Sequence, residues 1–255
     1  MMTDVVLLDV SERIATITLN RPEARNALSS EVQRRLPALI AEADGRDDVD
    51  VLILTGTDPA FCAGLDLKEL GSSAGNLGAG SKSGAVRKPF PEITKPLIGA
   101  VNGVAITGGL ELALNCDFLV ASERARFGDT HTRVGVMPGW GLAVLLPQAI
   151  GVRRAREMSF TGNFLTAEEA LHFGLVNHLV PHAELLPFCR RLAADIIGND
   201  QSGVRQLRAT YAEITAEADG WAIEARDGYE WGKGFTPDEV ARRRDSIMQR
   251  GRQQG

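Results

Sequence analysis

The sequence predicts an α/β fold that gives way to an all-helical tail, and three observations carry that reading. Two continuous apolar runs of strand length, Val51–Thr55 and Pro96–Val101, have the composition of strands covered on both faces. Segments of helical period alternate with strand-like segments up to about residue 180. From Ala183 to Arg250 almost everything has helical period, with interruptions at Gly198–Asp200 and Gly232–Pro237. A boundary near residue 198 follows, with a catalytic-sized core over 1–198 and a helical region over 199–255 that is too polar to fold alone.

The elements can be justified in order. Val5–Val10 and Arg13–Leu19 alternate, are rich in β-branched residues, and read as a hairpin. Asn20–Asn26 contains Pro22 and reads as a loop. Ser29 or Ser30 caps a helix to about Ala43, with Val32, Leu36, Leu39 and Ile40 at helical spacing and Pro37 expected to kink it. Gly71–Gly84 is too rich in Gly and Ser to bury a core and is expected to be a mobile loop. Asn102–Thr107 leads through Gly108-Gly109 into a helix, and Asp117–Ala121 is the next strand. Gly141–Ile150, Arg153–Phe160 and Ala167–Phe173 read as helices, and Leu175–Val180 as a short strand stopped by Pro181.

Bulk composition excludes several classes. With 255 residues, 44% hydrophobic and 24% charged, the chain is ordinary globular protein, long enough to need no staples. A net charge of −5 argues against non-specific nucleic-acid binding, which requires a basic face. Cys62, Cys116 and Cys189 are far apart, in no metal-ligand spacing, and read as reduced thiols. The N-terminal segment has no basic region followed by an apolar run, so no signal peptide is expected. Apolar runs stop short of membrane-spanning length. The expectation is a soluble cytoplasmic protein with no membrane partner.

Two segments share an unusual grammar of buried strand, tight glycine-containing turn and helix start. One is Val51–Thr55 followed by Phe61-Cys62-Ala63-Gly64-Leu65-Asp66. The other is Pro96–Val101 followed by Asn102-Gly103 and Thr107-Gly108-Gly109-Leu110-Glu111. Glycine permits close backbone approach, and a helix start leaves N–H groups without internal partners. Two such turns facing each other would make an oxyanion hole, each donor worth roughly 3–4 kcal/mol of transition-state stabilisation. The alternative is two ordinary strand-to-helix turns with glycines for packing. Composition and spacing do not choose between them.

A resemblance does. The runs Asn20–Ser30 (NRPEARNALSS), FCAGLDLKEL, Lys95–Asp117 (KPLIGAVNGVAITGGLELALNCD), ARFGDTHTRVGVMPGWG and TGNFLTAEEALHFGLVNHLVP resemble the crotonase (enoyl-CoA hydratase/isomerase) superfamily, in order and at similar spacing across residues 5–185. The resemblance implies a spiral of ββα units with a C-terminal helical trimerisation region, assembled as a homotrimer or homohexamer. It implies an acyl-CoA thioester as substrate, no cofactor and no metal. By position, the N–H groups of Leu65 and Gly108 would hold the thioester oxygen. Arg25, Ala27, Ala63, Asp66 and Leu67 fall where the family lines the CoA. Gly64 and Gly109 join the substrate-binding residues as the glycines of the two turns.

Glu111 occupies the position of the first catalytic carboxylate, whose implied role is to position and deprotonate the water added at C3. The second carboxylate is missing. Hydratases carry a glutamate in a pattern like FGxPE, and here Phe127-Gly128 is followed by Asp129-Thr130-His131, so His131 stands in its place. Histidine can exchange protons near neutral pH. His131 is therefore read as an acid/base, with a substrate-shaping or a purely structural role as alternatives. Asp129 lies two residues from the family position and is not assigned a role.

Trp140, within Gly139-Trp140-Gly141, replaces the family's small residues and is expected to narrow the acyl pocket or give it an aromatic wall. The same glycines fail as a dinucleotide fingerprint, because Val144 stands at the third position. Cys62 reads as a small buried thiol, and His172, His178 and His182 as surface or helix-end residues. Arg242–Arg244, Arg250 and Arg252 form either a solvated face or a contact to CoA phosphates. The leading functional reading is an enoyl-CoA hydratase, adding water syn to a 2-enoyl-CoA. The substitution at His131 keeps isomerisation, decarboxylation and thioester hydrolysis open, and a non-catalytic acyl-CoA-binding subunit is the reading from another class.

Overall fold

The computed structural model describes residues 4–72, 85–234 and 237–254. The expected loop over 71–84 therefore lies largely outside the described residues; its first two residues end a helix.

Strands β1 (Val6–Ser11) and β2 (Ile14–Leu19) form the expected hairpin, and α1 (Ser30–Asp44) follows with the Ser29 side chain accepting from Val32 N. Pro37 lies inside α1 without ending it. Its ring is half-buried on the helix flank, and Leu36, Leu39 and Ile40 on the buried face hold the helix across the missing hydrogen bond. Next come β3 (Val51–Gly56), β4 (Ala60–Cys62), α2 (Leu67–Ser72), β5 (Leu97–Val101), β6 (Val104–Ile106), α3 (Gly108–Leu114), β7 (Phe118–Ser122), β8 (Arg126–Gly128) and α4 (His131–Val134). Then α5 (Leu142–Ile150), α6 (Val152–Thr161), β9 (Phe164–Thr166), α7 (Ala167–Phe173) and β10 (His178–Val180) precede the tail of α8 (Leu185–Ile197), α9 (Gln201–Ile214), α10 (Ala218–Gly232) and α11 (Pro237–Gln254).

Two sheets result. The larger runs β1-β2-β3-β5-β7-β10, parallel from β2 onward, and the smaller runs β4-β6-β8-β9. The chain thus repeats one unit three times: a long strand in the first sheet, a short strand in the second, then a helix. This is the expected ββα spiral. The short strands escape a reading of the sequence because three residues carry no measurable period. The segment Asn102–Thr107, expected to be a turn, contains β6; the predicted strand Leu175–Val180 is reduced to His178–Val180.

The β3 run shows why the large sheet is apolar on both faces. Leu52 and Leu54 point into the main core with Ile17, Leu97, Val101 and Leu119. Val51 and Ile53 point the other way, onto Leu185, Cys189 and Ala193 of α8. Each such buried aliphatic side chain contributes about 1.5–3 kcal/mol. Farther on, the tail folds back: α10 packs on α5, and α11 packs on α2 and α4. No helix among the described residues is long and apolar enough to cross a membrane.

Candidate active site

The smaller sheet aims the site. Its strands β4, β6 and β8 are parallel neighbours, so their C-terminal ends emerge at one edge. The end of β4 delivers Ala63–Leu65, the end of β6 delivers Thr107–Gly108, and the end of β8 delivers Asp129–His131. Ligand sites of parallel α/β sheets lie at that edge for the same reason.

The two glycine turns are in contact. A Cβ built on Gly64 would sit 3.4 Å from the Gly108 nitrogen and 3.1 Å from Thr107 Cβ. Leu65 forms a parallel bridge with Leu28, in which Leu28 N donates to Gly64 O and Asp66 N donates to Leu28 O. That pattern turns Leu65's own N–H away from Leu28. Gly108 is the first residue of α3, so its N–H has no helical acceptor. The residue before it, Thr107, has φ 56° and ψ −119°, a sparsely populated conformation for a side-chain-bearing residue. Its N–H donates to Gly128 O, and its hydroxyl bonds that of Thr130, which together fix the turn. Both Leu65 and Gly108 line one cleft with Glu111, His131 and Trp140.

Glu111 is 3% exposed. Its Oε1 accepts from Gly139 N (3.1 Å) and Trp140 N (2.7 Å), leaving Oε2 3.5 Å from His131 Nε2. His131, equally buried, donates from Nδ1 to Asp129 Oδ1 at 2.6 Å, and the same oxygen accepts from the His131 backbone N–H at 3.0 Å. Burial pulls the imidazole pKa down, but hydrogen bonds and charge from Asp129 and Glu111 outweigh it and raise the value to about 10. Burial likewise opposes the Asp129 charge, yet His131 and Ser159 hold its pKa below the ordinary carboxylate value. At neutral pH the site therefore contains an imidazolium, held between the side chains of Asp129 and Glu111. Asp129 was given no role in the sequence; its position orients His131. The available signal was local, an Asx-turn in which Asp bonds the backbone two residues on.

Glu224 is the second residue that the sequence did not reveal. It comes from α10, is 6% exposed, and accepts from Gly141 N (2.6 Å) and Ala143 N (2.7 Å). It supplies the N-terminal acceptors that Gly141 lacks as cap of α5. Burial and the nearby Glu111 charge push its pKa up to about 7.

The remaining expected residues divide. Trp140 lines the cleft, with its Cζ3 3.7 Å from where a Gly108 Cβ would be, and its N–H also holds Glu111. Ala63 N donates to Arg25 O, which puts Arg25, Ala27 and Ala63 beside the Gly64-Leu65 turn, outside the residues lining the cleft. Asp66 is committed to protein: it pairs with Arg21 Nη2 at 3.0 Å and accepts from Lys68 N at the start of α2, whose first residue is Leu67. Gly109 is packed closely on the preceding turn, since a Cβ there would lie 2.1 Å from Cys62 O. Cys62 is buried, and burial raises its pKa to about 12, which removes a nucleophilic role. His172 and His178 are exposed, while His182 bonds Ser122 Oγ and Asp58 Oδ2 at 2.9 Å each. Arg244, Arg250 and Arg252 are exposed on α11, and the side chains of Arg242 and Arg243 lie outside the described residues.

Comparisons with known proteins agree with this geometry. The family model for enoyl-CoA hydratase/isomerase matches residues 9–228, and the chain belongs to that family. It is 37% identical, over 93% of its length and 90% of the relative's, to the probable peroxisomal enoyl-CoA hydratase 1 of Arabidopsis thaliana. It is 36% identical to the short-chain-enoyl-CoA hydratase of Clostridium acetobutylicum, over 78% of each chain. Among solved structures, an enoyl-CoA hydratase from Mycobacterium tuberculosis H37Rv superposes with a TM-score of 0.82 at 51% identity, covering 90% of this chain and 98% of the other.

The charge state of His131 carries a prediction. An imidazole whose folded pKa is raised from 6.5 to about 10 stabilises the fold fully below pH 6.5, and that contribution is lost as pH rises through 10. Asp129→Asn should lower the His131 midpoint by about 1–3 pH units, the range one close opposite charge supplies. NMR titration of the His131 ring and urea melts from pH 6 to 10 read both effects. A midpoint that stays near 10 in the variant would overturn the assigned role of Asp129.

Proposed function

We propose that the chain is an enoyl-CoA hydratase that adds water across the C2–C3 double bond of a 2-enoyl-CoA, without a cofactor. The observation that carries this reading is the contact between the two amide-bearing turns, with Glu111 and His131 in the same cleft. The thioester oxygen accepts from Leu65 N–H and Gly108 N–H, which stabilise the enolate where charge develops. Glu111 takes a proton from water as its oxygen bonds to C3. The electrons of the double bond move toward the thioester, and C2 takes a proton from His131 Nε2. Protonated Glu111 then returns a proton to His131 across their 3.5 Å separation, so the cycle consumes one water and nothing else.

The charged state of His131 supports hydration over isomerisation. In the double-bond isomerases that position is the principal base, and an imidazolium held protonated up to about pH 10 has no free lone pair at neutral pH. Trp140 against Gly108 favours a short acyl chain. The chain is further read as a homotrimer or homohexamer, with the exposed apolar stripe Leu207, Tyr211 and Ile214 of α9 available for subunit contact. The test is incubation with crotonyl-CoA while following loss of the enoyl absorbance, with light scattering on the same sample. No turnover of crotonyl-CoA, with turnover of another acyl-CoA, would sink the hydratase reading; a monomer mass would remove both assemblies.

A further inference from the structure

The charges lining the cleft can be matched one by one. Glu111 and His131 face each other at 3.5 Å. Glu224 is satisfied by two backbone N–H groups of the α5 start. Arg87 is the charged residue of the lining with no such contact. Arg87 lines the same cleft, is partly buried, and has no carboxylate within ion-pair distance among the described residues.

Placing a guanidinium where water is partly excluded is unfavourable unless an acceptor is supplied. Burial accordingly pulls its pKa down, only partly offset by the more distant Glu111 charge. The fork of N–H donors on arginine matches a carboxylate or a phosphate in two parallel hydrogen bonds. Of the two anions an acyl-CoA can bring, position favours the first. Arg87 shares the cleft with the reacting groups Gly108, Glu111 and His131, whereas the CoA phosphates lie a whole pantetheine arm from the thioester. Val136, Met137, Trp140 and Trp231 give the wall an apolar part and Gln33 and Tyr229 add only neutral polar groups, so a plain hydrocarbon chain would leave the guanidinium without an anion.

We propose that Arg87 receives a carboxylate borne by the acyl group, so that the preferred substrates are enoyl-CoA thioesters carrying an acid function on the chain beyond the double bond. The proposal rests on the acyl-CoA reading of the cleft and names the substrate class within it.

The test measures binding rather than turnover, so it stands apart from the fate of the hydratase assignment. Calorimetry with glutaryl-CoA, pentanoyl-CoA and free CoA compares a terminal carboxylate, a methyl group of the same chain length, and the phosphates alone. Wild-type protein should bind glutaryl-CoA roughly ten- to a hundredfold more tightly than pentanoyl-CoA, the range of a charge-assisted hydrogen bond. Arg87→Met should abolish that ratio, and Arg87→Lys should retain part of it, since the charge survives without the fork. Circular dichroism checks that each variant keeps the fold, and either one alone suffices. A wild-type ratio near one, or a preference for pentanoyl-CoA, would overturn the proposal. So would an Arg87→Met variant that weakens free CoA as much as glutaryl-CoA, which would assign the arginine to a phosphate.

Discussion

Replacing Glu111 by glutamine should lower turnover of crotonyl-CoA by about 10²–10⁴, the contribution of a well-placed general acid–base group. The substitution is close to isosteric, and the amide oxygen can still accept from Gly139 N and Trp140 N, the two bonds that fix the side chain. What it removes is the charge beside His131 and the lone pair that would take a proton from water. Binding of butyryl-CoA, a saturated ligand that needs no proton transfer, should stay within a few-fold of wild type. Steady-state kinetics and calorimetry on one preparation separate the two. An unchanged kcat would exclude the mechanism drawn for Glu111. It would also favour the view of this protein as a binding subunit that has kept the scaffold of an enzyme.

Much of this was legible in the sequence, for identifiable reasons. The strand Val51–Gly56 could be placed because burial on both faces demands an unbroken apolar run, and the structure seals one face with the main core and the other with α8. Glu111 could be paired with Gly108 because three residues on a helix share a face. Other features depend on contacts that no local pattern encodes. The strands β4, β6 and β8 have three residues each and exist because they pair with one another. Glu224 reaches the site from a helix far along the chain, and nothing in ADGWAIEARDGYEWG distinguishes it from a solvated carboxylate. In that helix it is the one buried residue. Beyond the boundary expected near residue 198, α10 lines the cleft and holds the start of α5 through this carboxylate.

The replacement of the family's second glutamate by His131 is better understood with Asp129 in view. A lone buried histidine would be neutral, since desolvation opposes its charge. The Asp129 carboxylate, fixed by the His131 backbone N–H, reverses that balance and orients the ring, so Nε2 faces Glu111. In the proposed mechanism the substitution exchanges an acidic side chain for a cationic proton donor in the same place. It does not simply delete a catalytic group. Arg87 adds a second cation to the same cleft, and the two together make its acyl end less negative than a pair of glutamates would.

Gly64→Ala is expected to be nearly as damaging as the loss of Glu111, although it removes no functional group. Gly64 has φ +80°, where an L-residue pays roughly 1–2 kcal/mol. Its new Cβ would lie 2.9 Å from Ile106 O and 3.1 Å from Thr107 Cβ, so the turns after β4 and β6 must move apart. The proposed convergence of the Leu65 and Gly108 amides on one oxygen is then lost. Loss of one such donor costs about 10²–10³ in kcat. Gly198→Ala provides the comparison, since its Cβ would meet only carbonyl oxygens at 3.5 Å and no strained backbone. If Gly64→Ala kept the fold, as read by circular dichroism, and matched the Gly198→Ala variant in kcat/KM, the convergence of two amides could not be what accelerates the reaction. A large drop in kcat with the melting temperature lowered by only a few degrees would tie catalysis to the spacing of two backbone nitrogens, which is set by the parallel pairing of β4 with β6.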